Sequence, residues 1–245
     1  DGFVSIEVSP LLAFDTESTV REAKELYRLV NRKNTMIKIP ATTQGIPAVR
    51  AVIAEGIAVN VTLIFSLERY EAVMEAYLAG LEQRMSVGNP VASVASVASF
   101  FVSRVDSAVD KILEQKMSSD KDPEKNKKFK KLMGKAGIAN SKTAYEAFEK
   151  LFSSARFKKL KTLGAQTQRP LWASTGTKNP NYSDVLYVEA LMGPDTVNTV
   201  PPATLDAFRD HGIAGSCLKE GLEQARSTLK ELKQAGIDLG SITKD

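Results

Sequence analysis

Six short apolar stretches, separated by segments with helical spacing, constrain the fold of this chain more than any other feature. Strands are expected at "FVSIEVS" (3–9), "TMIKI" (35–39), "AVNVTLIF" (58–65), "VASVASFFV" (94–102), "RPLWAS" (169–174) and "DTVNTV" (195–200). Between them, Val20, Ala23, Tyr27 and Val30 follow Asp15-Thr16 at the period of a helix. Ile46, Val49, Val52 and Ile53 do the same within 44–55, as do Tyr70, Val73, Met74, Tyr77 and Leu78 within 67–81. Helices are also expected at 104–116, 141–152, 202–210 and 219–234, and 103–168 reads as one enlarged helical crossover.

Strand alternating with helix is the pattern of parallel βα units. The repeat length agrees: Glu7 lies 31 residues before Lys38, Lys38 lies 24 before Thr62, and Ser174 lies 24 before Asn198. A doubly wound sheet has the same alternation, but no glycine-rich phosphate loop follows any of the strands. The expectation is therefore an α/β chain of parallel (βα) barrel type, with residues 1–245 forming a single domain.

Composition narrows the chemistry. A single cysteine, Cys217, excludes an internal disulfide and suits a reducing compartment; a single histidine, His211, excludes a multi-histidine metal site. No run of ~18 apolar residues is present, so no membrane-spanning helix is expected. Nor do the first residues, Asp1-Gly2-Phe3, resemble a signal peptide. Much of the net charge of +4 comes from "KDPEKNKKFKKLMGKAG" (121–137). That segment could contact nucleic-acid phosphates, but it lacks interleaved aromatics and reads as a solvated helix face.

The strands carry an unusual polar face. Ser5, Glu7 and Ser9 alternate with Val4, Ile6 and Val8; Asn60, Thr62, Ile64 and Ser66 alternate with Val61, Leu63 and Phe65. Trp172 shares a face with Ser174, and Thr196 with Asn198. In a barrel the apolar faces meet the helices and the polar faces point inward, where unpaired polar groups are costly. Such groups belong near the C-terminal mouth, and Glu7, Lys38, Asn60, Thr62, Ser99, Ser174 and Asn198 all lie near strand ends. Lys38 is then expected as a buried amine at that mouth. From the pattern alone it is either a Schiff-base nucleophile, whose pKa desolvation would lower, or a structural or phosphate-binding lysine.

The ordered set "SIEVSP", "IKIPATTQGIPAV", "NVTLIFS", "SVASFFVSRVD", "LWASTGTKNPNYSD" and "GPDTVNTVPPATL" resembles the transaldolase family, most closely its plant, cyanobacterial and actinobacterial branch. The resemblance extends over nearly the whole chain. It implies an eight-stranded (βα)8 TIM barrel and a class I transferase that works through a Schiff base, with no metal and no other cofactor. By motif, Lys38 is the Schiff-base lysine, and Glu7 and Thr62 hold the water used in proton transfer. Asn60 bonds the bound three-carbon unit, and Ser99 and Phe101 form the pocket wall. Arg104 and Ser174 contact phosphate, and Lys178 stands roughly where many relatives have arginine, keeping the charge but losing the bidentate geometry.

The implied reaction is that of the pentose phosphate pathway: sedoheptulose 7-phosphate plus glyceraldehyde 3-phosphate gives erythrose 4-phosphate plus fructose 6-phosphate. The implied partners are sugar phosphates, with no nucleic acid and no membrane. The implied setting is the cytoplasm, or a plastid for a plant source, and the implied state a monomer or homodimer. Two departures stand out. The family has two further strands ahead of the segment matching "DGFVSIEV", the first bearing an acid–base aspartate that no residue here matches. Asp15 and Asp195 are carboxylates in a helix start and a loop, and the family's final helix has no match either. The expectation is a barrel lacking its first two βα units in this chain, as part of a longer polypeptide. Competing expectations are a related aldolase that releases dihydroxyacetone and a barrel fragment without catalysis. Cys217 and His211 are expected to be structural, and Trp172 to be pocket wall or core.

Overall fold

The helices begin and end where local chemistry allows. The Asp15 side chain accepts the Ser18 N–H at 3.0 Å and caps α1 (Thr16–Val30), which stops at Asn31 in the left-handed conformation, φ 47°. The computed structural model describes residues 2–243. Its strands are β1 (Val4–Glu7), β2 (Thr35–Pro40), β3 (Val59–Ile64), β4 (Ser96–Phe101), β5 (Gln168–Ala173) and β6 (Val197–Asn198). The further helices are α2 (Gly45–Ala54), α3 (Leu67–Ser86), α4 (Ser103–Ser119), α5 (Pro123–Leu132), α6 (Ala136–Phe152), α7 (Ala155–Thr162), α8 (Leu186–Ala190), α9 (Pro202–His211), α10 (Leu222–Gln234) and α11 (Leu239–Ile242). The strand order is the chain order, β1 to β6, and every pairing described is parallel. A doubly wound sheet reverses direction at a switch point, and this order does not.

The chain packs as two compact units. The first comprises the segment up to Ile64 together with Glu68–Phe100 and Ala147–Pro170. In it β1 to β4 pair as sequential neighbours. Ile37, Ile39, Val59, Val61, Ala98 and Phe100 are fully buried, as are Val49, Val52 and Ile53 of α2 and Tyr70, Val73 and Tyr77 of α3. A strand buried on both faces reads as continuous rather than alternating burial, and all six residues of β4 are buried. At the start of α2, a Cβ on Gly45 would lie 1.9 Å from the Pro40 carbonyl oxygen, so only glycine lets this helix begin so close to the end of β2.

The second unit comprises Phe65–Leu67, Phe101–Glu146 and the chain from Leu171 onward. Here the end of β5 pairs with β6, Trp172 opposite Asn198. Its core gathers Val105, Val109 and Leu113 of α4 with Leu132, Ala136, Leu232 and Ile237. Phe129 and Met133 pack against that core while Lys125, Lys127, Lys128, Lys130 and Lys131 face solvent, so the basic segment is a solvated helix face.

Most expected elements are present, and the exceptions have physical causes. The crossover between β4 and β5 holds four helices, α4 to α7. The last strand is two residues long, because Asp195 takes a left-handed φ of 56° and Pro201 and Pro202 have no N–H to pair. In β3 the strict alternation fails after Thr62. Val61 is opposite Ala98 and Ile64 opposite Phe100, so one extra residue is accommodated, and Leu63 lies at φ 59°.

Candidate functional site

Register assembles the first group of polar residues, all within the first unit. Glu7 lies opposite Lys38 across β1 and β2, and Lys38 lies opposite Asn60 across β2 and β3. Residues in register on neighbouring strands point to the same face. Lys38 Nζ donates to Glu7 Oε2 at 3.1 Å. Lys38 is the one residue of β2 that is not buried. Its side chain is 30% exposed and that of Glu7 46%, so the expected buried amine is corrected to a partly open, paired one. The neighbouring strand β1 is itself mostly exposed in this chain.

Asn60 is held on both sides. Its Nδ2 donates to Ser5 Oγ at 3.0 Å, and its Oδ1 accepts from Ser99 Oγ at 2.7 Å. With both ends engaged, the amide has one orientation and presents it steadily. Thr62, opposite Pro40, is fully buried, and its hydroxyl has no hydrogen-bond partner among the described residues. An unspent buried hydroxyl is uncommon. It lies directly before the extra residue of β3, a device that re-aims side chains near functional sites.

A second group lies within the second unit. Arg104 occupies the first turn of α4, and its guanidinium carbon lies 5.0 Å from the centre of the Phe101 ring, a cation–π distance. Phe101 in turn packs on Phe65 with ring centres 5.0 Å apart. Ser174 takes a left-handed φ of 57° just past β5. Its hydroxyl lies 2.8 Å from that of Ser103, and its carbonyl accepts the Ser103 N–H at 3.0 Å. Lys178 is exposed and lines a cavity of about 160 Å³ with Asn179, Tyr182 and Tyr187 on one side and Asp106 and Asp110 on the other.

Sequence reasoning overlooked Ser5, although it placed that residue on the polar face. It also overlooked the four members of an acid–phenol cluster, in which Asp106, Asp110 and Tyr187 are buried and Tyr182 is half-buried. Tyr187 donates to Asp106 at 2.8 Å and Tyr182 to Asp110 at 2.7 Å. The signal was the D-x-x-x-D spacing in "RVDSAVDK", which puts two carboxylates on one helix face. Burial pushes the Asp106 carboxyl up to about 6; the Gly137 N–H and the Tyr187 hydroxyl pull it down, and the nearby Asp110 adds to the rise.

His211 is exposed between Asp184 and Asp210, whose hydrogen bonds, that of Asp184 foremost, raise its pKa. Cys217 is half-buried and Trp172 is core. Among the described residues, no group of three or more histidine, cysteine, aspartate or glutamate side chains is placed to hold a metal, and no helix is long and apolar enough to cross a membrane.

Comparison with known proteins adds a family. The model described as "Transaldolase/Fructose-6-phosphate aldolase" matches residues 1–245. A protein of Mycolicibacterium smegmatis named "Transaldolase" is 54% identical over 243 residues, 99% of this chain and 63% of its own length. Proteins of the same name from Parafrankia and Thermobifida fusca are each 52% identical over 245 residues, the whole of this chain and 64% of theirs. The chain thus spans somewhat less than two thirds of the length of the curated relatives it matches.

Proposed function

The chain belongs to the transaldolase/fructose-6-phosphate aldolase family, and from that premise we propose that the protein carrying it is a transaldolase, moving a dihydroxyacetone unit between sugar phosphates through a Schiff base on Lys38. The observation that carries the reading is the register row Glu7–Lys38–Asn60, which sets an amine between a carboxylate and a doubly anchored amide.

The free amine of Lys38 adds to the ketose carbonyl carbon, and the carbonyl oxygen leaves as water. Glu7, in contact with the amine, and Thr62, with its unspent hydroxyl, hold that water and pass its protons. The iminium then draws electrons from the bond beyond the third carbon. That bond breaks, the hydroxyl proton on the fourth carbon goes to a base, and the aldose departs. The three-carbon enamine stays on Lys38, with Asn60 and Ser99 bonded to its hydroxyls. It adds to the aldehyde carbon of the acceptor, whose oxygen takes the proton back from that base, and water frees the new ketose and regenerates the amine. Arg104, Ser174 and Lys178 bind the phosphate, and Phe101 lines the wall. Arg104 suits this role because it lies at the positive end of α4.

The same reading makes the chain one domain of barrel type. The chain passes between its two compact units repeatedly, whereas a domain linker is crossed once. In the whole protein the sheet continues past β1 to close an eight-stranded barrel. The exposure of Val4 (67%), Leu11 (90%) and Phe14 (77%) on and after that strand supports it. Sugar phosphates are the partners, with no nucleic acid or membrane, in the cytoplasm, as a monomer or homodimer.

The test is borohydride trapping of the whole protein with fructose 6-phosphate, followed by peptide mass mapping. An adduct on Lys38 is expected, and an adduct on another lysine, or none, would overturn the assignment. Product analysis with and without erythrose 4-phosphate separates transfer from release: free dihydroxyacetone formed at full rate without acceptor would mark an aldolase.

A further inference from the structure

The segment 174–185, between β5 and α8, carries two of the three groups assigned to phosphate, Ser174 and Lys178. It is fastened to α4 at two points, and α8, which follows it, at a third. Its start is tied through Ser174 to Ser103. Near its end, the Tyr182 hydroxyl donates to Asp110 Oδ2 at 2.7 Å, and the Tyr187 hydroxyl of α8 donates to Asp106 Oδ2 at 2.8 Å. Lys178 lies between the first tie and the other two.

The receiving carboxylates are themselves immobilised. Asp106 and Asp110 are one helical turn apart and buried. Their other oxygens accept the Gly137 N–H at 2.7 Å and the Gly134 N–H at 3.0 Å, where the chain enters α6. Gly134 lies at φ 67°, and a Cβ there would come within 2.8 Å of the Tyr182 ring. The backbone thus closes on the phenol from the other side. Inside the segment, Thr177 Oγ1 donates to the Ser183 carbonyl at 2.8 Å, and the Asn181 N–H donates to Asn179 Oδ1 at 3.0 Å. What remains free to shift is the segment as a whole relative to α4, and the two phenols oppose that shift.

We propose that Tyr182 with Asp110, and Tyr187 with Asp106, are positioning residues that hold the segment bearing Lys178 at a fixed setting on the helix bearing Arg104, and so set the affinity for the phosphate end of the substrate. This rests on the assignment of Arg104 and Lys178 to phosphate made above. None of the four belongs to the row that holds Lys38, so the effect falls on binding. Each phenol also serves as a rigid spacer, which a shorter side chain cannot replace.

The experiment is Tyr182→Phe in the whole protein, with Tyr187→Phe as a parallel variant and Arg104→Ala as reference. Each tyrosine change removes one oxygen and leaves the ring. The KM for fructose 6-phosphate is expected to rise about five- to tenfold, less than the full weight of one hydrogen bond to a charged acceptor because the phenol acts through Lys178, with kcat within about twofold. Competitive inhibition by inorganic phosphate should weaken by the same factor, and Lys178 should be acylated faster in limited amine labelling read by mass spectrometry. A lower melting temperature with unchanged KM and unchanged phosphate inhibition would reduce the tyrosines to structural roles and overturn the proposal. If Arg104→Ala raises KM while both tyrosine variants do not, the positioning role fails alone. If Arg104→Ala also leaves KM unchanged, the phosphate assignment fails and the positioning role with it.

Discussion

Glu7 Oε2 and Lys38 Nζ meet at 3.1 Å from directly opposed positions on β1 and β2. A carboxylate beside an amine can take its proton and release the nucleophile, then return a proton to departing water. The two residues should therefore separate in experiment. Lys38→Ala is expected to abolish both turnover and borohydride trapping. Glu7→Gln is expected to keep a trappable lysine while lowering kcat by ~10²–10⁴-fold, the usual range for a positioned acid–base group. Full kcat in Glu7→Gln would remove Glu7 from the proton path.

Arg104 is held over the Phe101 ring at the first turn of α4. A charge-assisted hydrogen bond to phosphate contributes ~1.5–3 kcal/mol. Replacing Arg104 by Ala should raise the KM for phosphorylated ketoses by about ten- to hundredfold, with a much smaller change for free dihydroxyacetone as donor. Steady-state kinetics on the two donors decide it, and equal effects on both would argue against a phosphate contact.

Asp106 should make stability depend on acid pH in a direction opposite to most carboxylates. Its folded pKa, about 6, lies above the ordinary 3.8. Between these values the folded chain holds a proton that the unfolded chain releases, so stability falls as pH rises through the window from about 4 to 6. Below it both states are protonated, and above it both are ionised. A rise from 3.8 to about 6 corresponds to roughly 3 kcal/mol. Urea midpoints of the parent and Asp106→Asn should therefore differ more in the parent's favour near pH ~4.5 than near pH ~7. A difference independent of pH would show that the carboxyl is ionised throughout.

Tyr70 and Tyr77 make an internal contrast on α3. Both are fully buried, but the Tyr70 hydroxyl has no partner among the described residues, while that of Tyr77 bonds the carbonyls of Val94 at 3.1 Å and Gln166 at 2.8 Å. Tyr70→Phe is expected to be neutral or stabilising by up to ~1 kcal/mol, and Tyr77→Phe to destabilise by ~1–2 kcal/mol by removing the one O–H that the Val94 and Gln166 carbonyls share. Thermal or urea melts of the two variants test this, and the reverse order would contradict it.

The parts of this molecule that obey a period were legible in the sequence. Val49, Val52 and Ile53, or Tyr70, Val73 and Tyr77, follow the helical repeat and are buried as that repeat requires. The polar face of the strands was equally visible: it brought Glu7, Lys38 and Asn60 into one row, to which Ser99 of β4 adds a hydrogen bond at Asn60. Whatever depends on a break in period, or on a partner distant in sequence, was not. Leu63 inserts one residue and ends the alternation, and no local propensity marks it. Lys38 pairs with Glu7, 31 residues away on another strand. Tyr182 and Asp110 are 72 residues apart, and their bond follows from how the backbone returns to α4.

The extra residue in β3 divides that strand into two parts with separate obligations. Up to Val61, its pairing is locked by the row that holds the amine. Beyond Leu63 the phase has slipped, so a change in the later part need not be compensated in the earlier one. Variation on the far side of Leu63 can therefore accumulate, or be introduced by design, while Glu7, Lys38 and Asn60 keep their register.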